Sequence, residues 1–323
     1  MGDILLTIAI PTYNRSKFLD RCLHNICKQL KDVNASVEII VSDNASIDNT
    51  SEVIQKYKDA GYAIKYIKNI ENKGADFNVA QCYTEATGKY VLTLGDDDVL
   101  VTGGLAVIIN TLSKNELGIV YLKNYTVTVD NFEDKAVVPE QVPVTILNNR
   151  IEFLKRVSYF TTFLSGNIVN KKALSGIDFA ESRGSNLGHV PLILHAINSF
   201  DNNAIVEIPV IAMQTENTGG YSLFKTFGTN YMTLLSKVYS NKTDEIYKNI
   251  IIKDLLRTFF PPWIVGIKSK NNFQKEDDIN AIMYPLFKSY INYWLFNFPL
   301  IKLPGFASKL YFKAIKPFLA VKK

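Results

Sequence analysis

The chain is poor in cysteine, lacks any long apolar run, and ends in a stretch without acidic residues. Its three cysteines, Cys22, Cys27 and Cys82, all fall in segments that read as helices. They are more simply buried thiols than a disulfide framework or a metal site, which points to a reducing, cytoplasmic setting. No stretch reaches the roughly 18 uninterrupted apolar residues of a spanning helix. A basic lead followed by an apolar signal core is missing from the first residues, so secretion is not expected. A Gly-rich Walker loop is also absent, which argues against one class of nucleotide enzyme. What is present is ordinary for a globular protein: 323 residues, 47% hydrophobic and 21% charged, with a net charge of +5. That composition excludes disorder and fits one large or two modest domains.

The first half alternates between two periodicities. Leu5 to Ile10 is an apolar run stopped by Pro11, as for a strand buried on both faces. Phe18, Leu19, Cys22, Leu23, Ile26 and Leu30 then recur at helical spacing, with Ser16 available as a cap. Strands are expected at 37–41, 62–67 and 90–94, and helices at 50–57 and 77–86. Such alternation over short connections predicts a doubly wound α/β sheet with parallel strands, whose ligands bind beyond the carboxyl ends of the strands. The expected organisation is a catalytic domain over 1–215 and a helical region over 216–323.

Four strand ends should share that rim. They carry Pro11-Thr12-Tyr13-Asn14-Arg15, Ser42-Asp43-Asn44-Ala45-Ser46, Asn69 to Gly74, and Gly95-Asp96-Asp97-Asp98. Each has a structural explanation by itself, since Asn14 can cap a helix, Asp43 can form an Asx-turn, Asn72-Lys73-Gly74 is an ordinary turn and Asp98 can cap a helix near Val99. Three adjacent carboxylates nevertheless repel one another, and they call for a cation, donors or full hydration. A rim with several carboxylates, a lysine and an arginine suits a charged ligand together with a metal.

The succession IAIPTYNR, EIIVSDNASIDNT, NKGADFN and GKYVLTLGDDDVL resembles the nucleotide-sugar domain of family 2 glycosyltransferases, over roughly residues 4–200. The resemblance implies the GT-A fold, a mixed sheet with a mainly helical extension. GDDD and Gly188-His189-Val190-Pro191 are similar to the subgroup that includes abequosyltransferases. It further implies that Pro11, Thr12, Tyr13, Asn14 and Arg15 lie along the nucleotide and that Asp43, with Asn44, meets the base. An ionised carboxylate only accepts, so Asp43 would read a base N–H, as in uracil. Lys73 and Gly74 would lie near the donor. By position GDDD is the family's D-x-D element, which holds Mn2+ or Mg2+ against the donor diphosphate. The usual first aspartate falls on Gly95, which shifts the work to Asp96 as donor contact and to Asp97 and Asp98 as metal ligands.

An inverting transferase needs a base for the acceptor hydroxyl. The family's Glu-Asp pair is missing here, and His189 stands in its place, with Asp178 and Glu181 as the nearest carboxylates. An imidazole with an ordinary pKa of about 6.5 suits the task, though a packed histidine near a helix start is the competing reading. His195 is read as structural. Thr162 to Val169 reads as a strand interrupted by Gly166, and residues 131–149 as an irregular loop over the site.

No Asp or Glu follows Asp278, whereas Lys288, Lys302, Lys309, Lys313, Lys316, Lys322 and Lys323 do, among many aromatics. Pro285, Pro299, Pro304 and Pro317 should divide the region into short pieces. Lysines interleaved with aromatic and aliphatic residues suit an anionic membrane surface better than nucleic acid. A helical subdomain that buries the aromatics, or an oligomer contact, would explain them as well. The expected protein is an inverting transferase working from a nucleotide-sugar, UDP-sugar favoured, onto a glycan or lipid-linked glycan at the inner face of the cell membrane, in bacterial surface polysaccharide or lipooligosaccharide assembly. A silent sugar-binding scaffold and a Mg-dependent nucleotidyltransferase are the rival readings.

Overall fold

A computed structural model describes residues 4–31, 33, 36–128, 137–139, 141–214, 220–269 and 278–319. The chain divides into two compact units, one of residues 1–150 and 160–218, the other of 151–159 and 219–323.

The first unit is built on β1 (Leu6–Thr12), α1 (Ser16–Cys27), β2 (Val37–Asp43), α2 (Thr50–Asp59), β3 (Ile64–Lys68), α3 (Ala75–Glu85) and β4 (Tyr90–Thr93). It continues through β5 (Val99–Leu100), α4 (Gly104–Lys114), β6 (Ile119–Val127), β7 (Val144–Leu147), α5 (Arg150–Val157, which enters the second unit), β8 (Asn167–Asn170), α6 (Val190–Ser199) and β9 (Asn203–Gln214). The strands form one sheet in the order β3-β2-β1-β4-β8-β6-β9-β5, with β7 also paired to β9. β1 to β4 are parallel to one another, while β8 joins both β4 and β6 antiparallel, so the sheet is mixed. Leu6, Ile8, Ala9 and Ile10 are fully buried, as a strand covered on both faces requires. α1 lays Leu19, Cys22, Leu23 and Ile26 against that sheet at helical spacing. All three cysteines are buried free thiols.

Several local expectations are corrected. α1 begins at Ser16, but no side chain of its own caps it; Asp48 Oδ2 accepts from the Ser16 N–H at 2.8 Å instead. Thr162–Val169 is not an interrupted strand: 3-10 turns occupy 158–162 and 164–166, and β8 starts at Asn167. Within the expected loop 131–149, residues 144–147 form β7; residues 131–136 and 140 lie outside the described residues.

The second unit comprises residues 151–159 together with α7 (Tyr231–Val238), α8 (Glu245–Asp254), α9 (Phe260–Ser269), α10 (Ile279–Phe287), α11 (Phe298–Lys302) and α12 (Gly305–Leu319). Its core is aromatic: Phe224 stacks on Phe260 at 5.6 Å and Phe260 meets Phe287 at 5.8 Å, all fully buried. π-helical turns at 225–230, 255–259 and 293–297 interrupt the helices. Such turns free carbonyls, and the buried Asn297 side chain donates to one of them, Leu256 O, at 2.7 Å. Pro285 and Pro317 lie inside α10 and α12, each in the last third of its helix, rather than dividing the region. Among the described residues, no helix is long and apolar enough to cross a membrane.

Candidate functional site

Sheet register gathers the motifs. β1 and β2 run in parallel with Thr12 beside Asp43, and β1 and β4 run with Ala9 beside Thr93. Three residues beyond each of the last two positions come Thr12 and Asp96, and the Thr12 hydroxyl donates to Asp96 Oδ2 at 2.7 Å. Arg15 follows from the same loop and bridges two carboxylates, Nη1 to Asp96 at 2.9 Å and Nη2 to Asp97 at 3.0 Å. Arg21, six residues further on in α1, donates to the Asp97 carbonyl at 2.8 Å and to Gln214 Oε1 at 3.3 Å. The Phe18 ring lies against both guanidinium groups, at 4.9 and 5.4 Å.

The three aspartates are therefore separated by their partners. Asp96 faces Thr12 and Arg15; burial pushes its carboxyl up to about 7, against the opposing pull of Arg15. Asp98 does not cap a helix, because the chain enters β5 at Val99 and α4 starts only at Gly104. Its Oδ2 accepts from the Ser165 hydroxyl at 2.5 Å and its Oδ1 from the Gln214 N–H at 3.1 Å. Burial, with Asp97 adding like charge, raises the Asp98 carboxyl to about 7. Ser165 Oγ in turn accepts from the Gly95 N–H at 2.9 Å. Gly95 itself is packed: a Cβ there would stand 3.0 Å from Asp97 Oδ1 and 3.3 Å from Asp98 Oδ2. An aspartate at this position would crowd the two that follow.

Asp97 is the more open carboxylate, with 12% of its side chain exposed against 3% for Asp96. Among the described residues no three His, Cys, Asp or Glu side chains converge as a ready metal cage. The donor set still fits a hard cation that brings ligands of its own, since Mg2+ and Mn2+ commonly take one or two carboxylates and complete their shell with phosphate and water.

The neighbouring loops are tied to one another. Asp43 is fully buried; its Oδ1 accepts from Ser46 N at 2.8 Å, which is the Asx-turn, and its Oδ2 from the Tyr66 hydroxyl at 2.6 Å. Each carboxylate oxygen has a second lone pair. Asn14, at positive φ, accepts from Ile47 N at 2.8 Å. Asn44 accepts from Lys73 N at 3.0 Å and donates to Asn72 Oδ1 at 2.7 Å, so it fixes the turn that ends at Gly74. Gly74 precedes α3 with φ 88°, a conformation that glycine adopts without strain. Tyr13 is exposed, whereas Pro11 and Thr12 are part of β1. The exposed Lys73 ammonium and the Arg183 guanidinium both lie over Phe77, at 4.8 and 5.7 Å.

His189 stands at the N-cap of α6, buried, with Nε2 3.0 Å from the Thr162 carbonyl. A carbonyl only accepts, so Nε2 carries the proton and Nδ1 is the basic nitrogen. Burial lowers the pKa of the ring, opposed by the Thr162 bond and by Asp76, and favours its neutral form. Asp76, in the first turn of α3, accepts from Asn186 N and Gly188 N, both at 3.0 Å. Asp178 is exposed and caps a 3-10 turn through Ala180 N at 2.8 Å, and Glu181 is exposed in that turn. Sequence reasoning missed Asp76, Ser165, Arg21 and Gln214. Only Asp76 had a local signal, an acid just inside a helix start.

Comparison with known proteins bears on the family and the fold. The chain is 30% identical over 208 residues to the abequosyltransferase RfbV of Salmonella typhimurium, covering 61% of this chain and 62% of that protein. It is 26% identical over 142 residues to the Escherichia coli UDP-Glc:alpha-D-GlcNAc-diphosphoundecaprenol beta-1,3-glucosyltransferase WfgD, covering 44% of this chain and 54% of that one. These matches span between about half and three fifths of the relatives' own lengths. Among solved structures, Staphylococcus aureus TarS 1–349 in complex with UDP-GlcNAc superposes with a TM-score of 0.58 at 15% identity, over 97% of this chain and 91% of that one. The mannosyltransferase PcManGT from Pyrobaculum calidifontis, in complex with GDP-Man and Mn2+, gives 0.55 at 12% identity, over 98% and 88%. At such identities the likeness establishes the fold, which is GT-A. The model of glycosyl transferase family 2 matches residues 7–169, half of the chain, and the protein belongs to that family.

Proposed function

We propose that the protein is an inverting glycosyltransferase that moves a sugar from a nucleotide-diphosphate donor, UDP-sugar favoured, to a hydroxyl of a lipid-linked glycan in bacterial surface polysaccharide assembly. The observation that carries this reading is the Thr12–Arg15–Asp96–Asp97 cluster at the carboxyl ends of β1 and β4, where a family 2 fold takes its donor. Tyr13 offers an exposed ring to the base, and Asp43 keeps lone pairs for a base N–H. Asp97 would hold a divalent cation, which offsets charge on the departing diphosphate as the acceptor oxygen bonds the anomeric carbon. Asp98 fixes the loop through Ser165 and Gln214. His189 Nδ1 takes the acceptor proton, with Asp178 and Glu181 as substitutes. The lipid-linked acceptor is supported by the relative WfgD, which is named for a diphosphoundecaprenol-linked substrate.

The test is nucleotide release and sugar transfer against UDP-, GDP-, CDP- and dTDP-sugars, with and without Mn2+. Release from one donor, stimulated by Mn2+ and lost in Asp97→Asn with the melting temperature unchanged, is expected. No release from any donor, with a nucleotide-induced thermal shift retained, would leave the silent sugar-binding reading in its place.

A further inference from the structure

α12 presents two opposite faces. At 3.6 residues per turn, Ser308, Ile315 and Leu319 share one edge, and these are its buried residues. The opposite edge carries Phe306 and Leu310, 77% and 52% exposed, with the exposed Pro317 in line. Lys309, Lys313 and Lys316 fall along one flank of that apolar edge, all exposed. Along the other flank lie the exposed Phe318 and the half-buried Tyr311, whose hydroxyl donates to Leu295 O at 2.8 Å and so brings the exposed Ile291, Trp294 and Leu295 alongside.

From this arrangement we propose that α12 docks on an anionic lipid surface, lying in its plane, with Phe306, Leu310 and Phe318 among the acyl chains and the three lysines at the headgroups. Charge decides between occupants. The region after Asp278 has lysines but no acidic residue, so two copies meeting through this face would oppose like charges, whereas a lipid headgroup layer supplies the missing sign. An exposed apolar edge flanked by lysines is also the arrangement of helices that lie in the interface rather than span it. The inference deepens the reading of a lipid-linked acceptor and rests on it for its purpose, though not for its physics.

The experiment is flotation of the full chain with phosphatidylcholine vesicles and with vesicles that also contain phosphatidylglycerol. Binding only to the anionic vesicles, weakening as salt is raised, is expected. With Lys309, Lys313 and Lys316 all changed to Gln, partitioning should fall on the order of 100-fold, from about 1 kcal/mol per lysine at 1.4 kcal/mol per decade. Phe306→Ser with Leu310→Ser should weaken binding but keep its salt dependence. Equal flotation of the Gln variant and the parent, or a parent that ignores lipid charge and salt, overturns the proposal, as does a parent dimer in solution that the Gln substitutions dissociate. Nucleotide release without vesicles, measured on the same samples, separates the two ideas. Release without flotation removes only the docking face, and flotation without release removes only the transferase reading.

Discussion

Replacing Gly95 by aspartate would restore the family's commoner motif, and the structure indicates what that costs. A Cβ at this position lies 3.0 Å from Asp97 Oδ1, 3.3 Å from Asp98 Oδ2 and 3.4 Å from Ser165 Oγ. Alanine alone should cost about 1 kcal/mol, because the neighbouring carboxylate must shift by tenths of an ångström. Aspartate adds a charge within about 5 Å of two others, and at an effective dielectric of 20 each pair costs roughly 3 kcal/mol. Partial solvent access at Asp97 and the nearby Arg15 should reduce the total to about 3 kcal/mol. Asparagine has the same shape without the charge, so the difference between Gly95→Asp and Gly95→Asn isolates the electrostatic part. Urea unfolding at pH 8 and low salt, analysed with a common slope, measures it. The two variants should differ by about 3 kcal/mol, and the gap should narrow at high salt. Stabilities within about 0.5 kcal/mol of each other would show that the carboxylates around Gly95 do not constrain it.

The raised carboxyls of Asp96 and Asp98 make a signed prediction. Each binds its proton more tightly in the fold than in the unfolded chain, so its contribution is most favourable below about pH 4 and is lost as pH rises towards about 7. Asp98→Asn should therefore gain melting temperature relative to the parent between pH 5 and pH 8, and a constant difference would contradict the burial argument. Ser165→Ala leaves Gly95 N without its acceptor and Asp98 Oδ2 without its hydroxyl donor, and should lower stability by about 1–3 kcal/mol, read from the urea midpoint. His189→Gln should reduce kcat by about 10²- to 10⁴-fold with the donor KM unchanged. In the parent, the rate should fall as pH drops through the lowered pKa of this ring. Undiminished turnover in the variant would return the role of base to Asp178 or Glu181.

The parallel half of the sheet was legible because β1, β2 and β4 are buried on both faces and the helices between them carry an apolar stripe, so both periodicities stand out in the sequence. The rim motifs were legible for the same reason, since they begin where each apolar run stops. The cap alternative for Asp98, read beside its expected role as metal ligand, failed because the fate of this residue depends on β9, whose Gln214 arrives from 116 residues away. The stretch before Asn167 was misread because apolar residues and one glycine look alike in a bulged strand and in a 3-10 turn. There, a Cβ on Gly166 would stand 2.6 Å from the Phe163 ring, which only the folded turn reveals. The prolines of α10 and α12 misled for a local reason: near a helix end, a lost amide removes only one bond and the apolar face holds the turn.

The Asp76 carboxylate has a consequence for how such an enzyme can change. One side chain at the head of α3 holds the backbone just before His189, while the same helix starts from the turn that Asn44 fixes. On the proposed reading, donor-side and acceptor-side segments thus share a fastening at the head of α3. A substitution that widens donor choice by shifting the start of α3 will drag the residue before His189 with it, so altered sugar selectivity should arrive together with altered turnover. Selection for a new donor would have to find compensating changes near Gly188 before it found a fast enzyme.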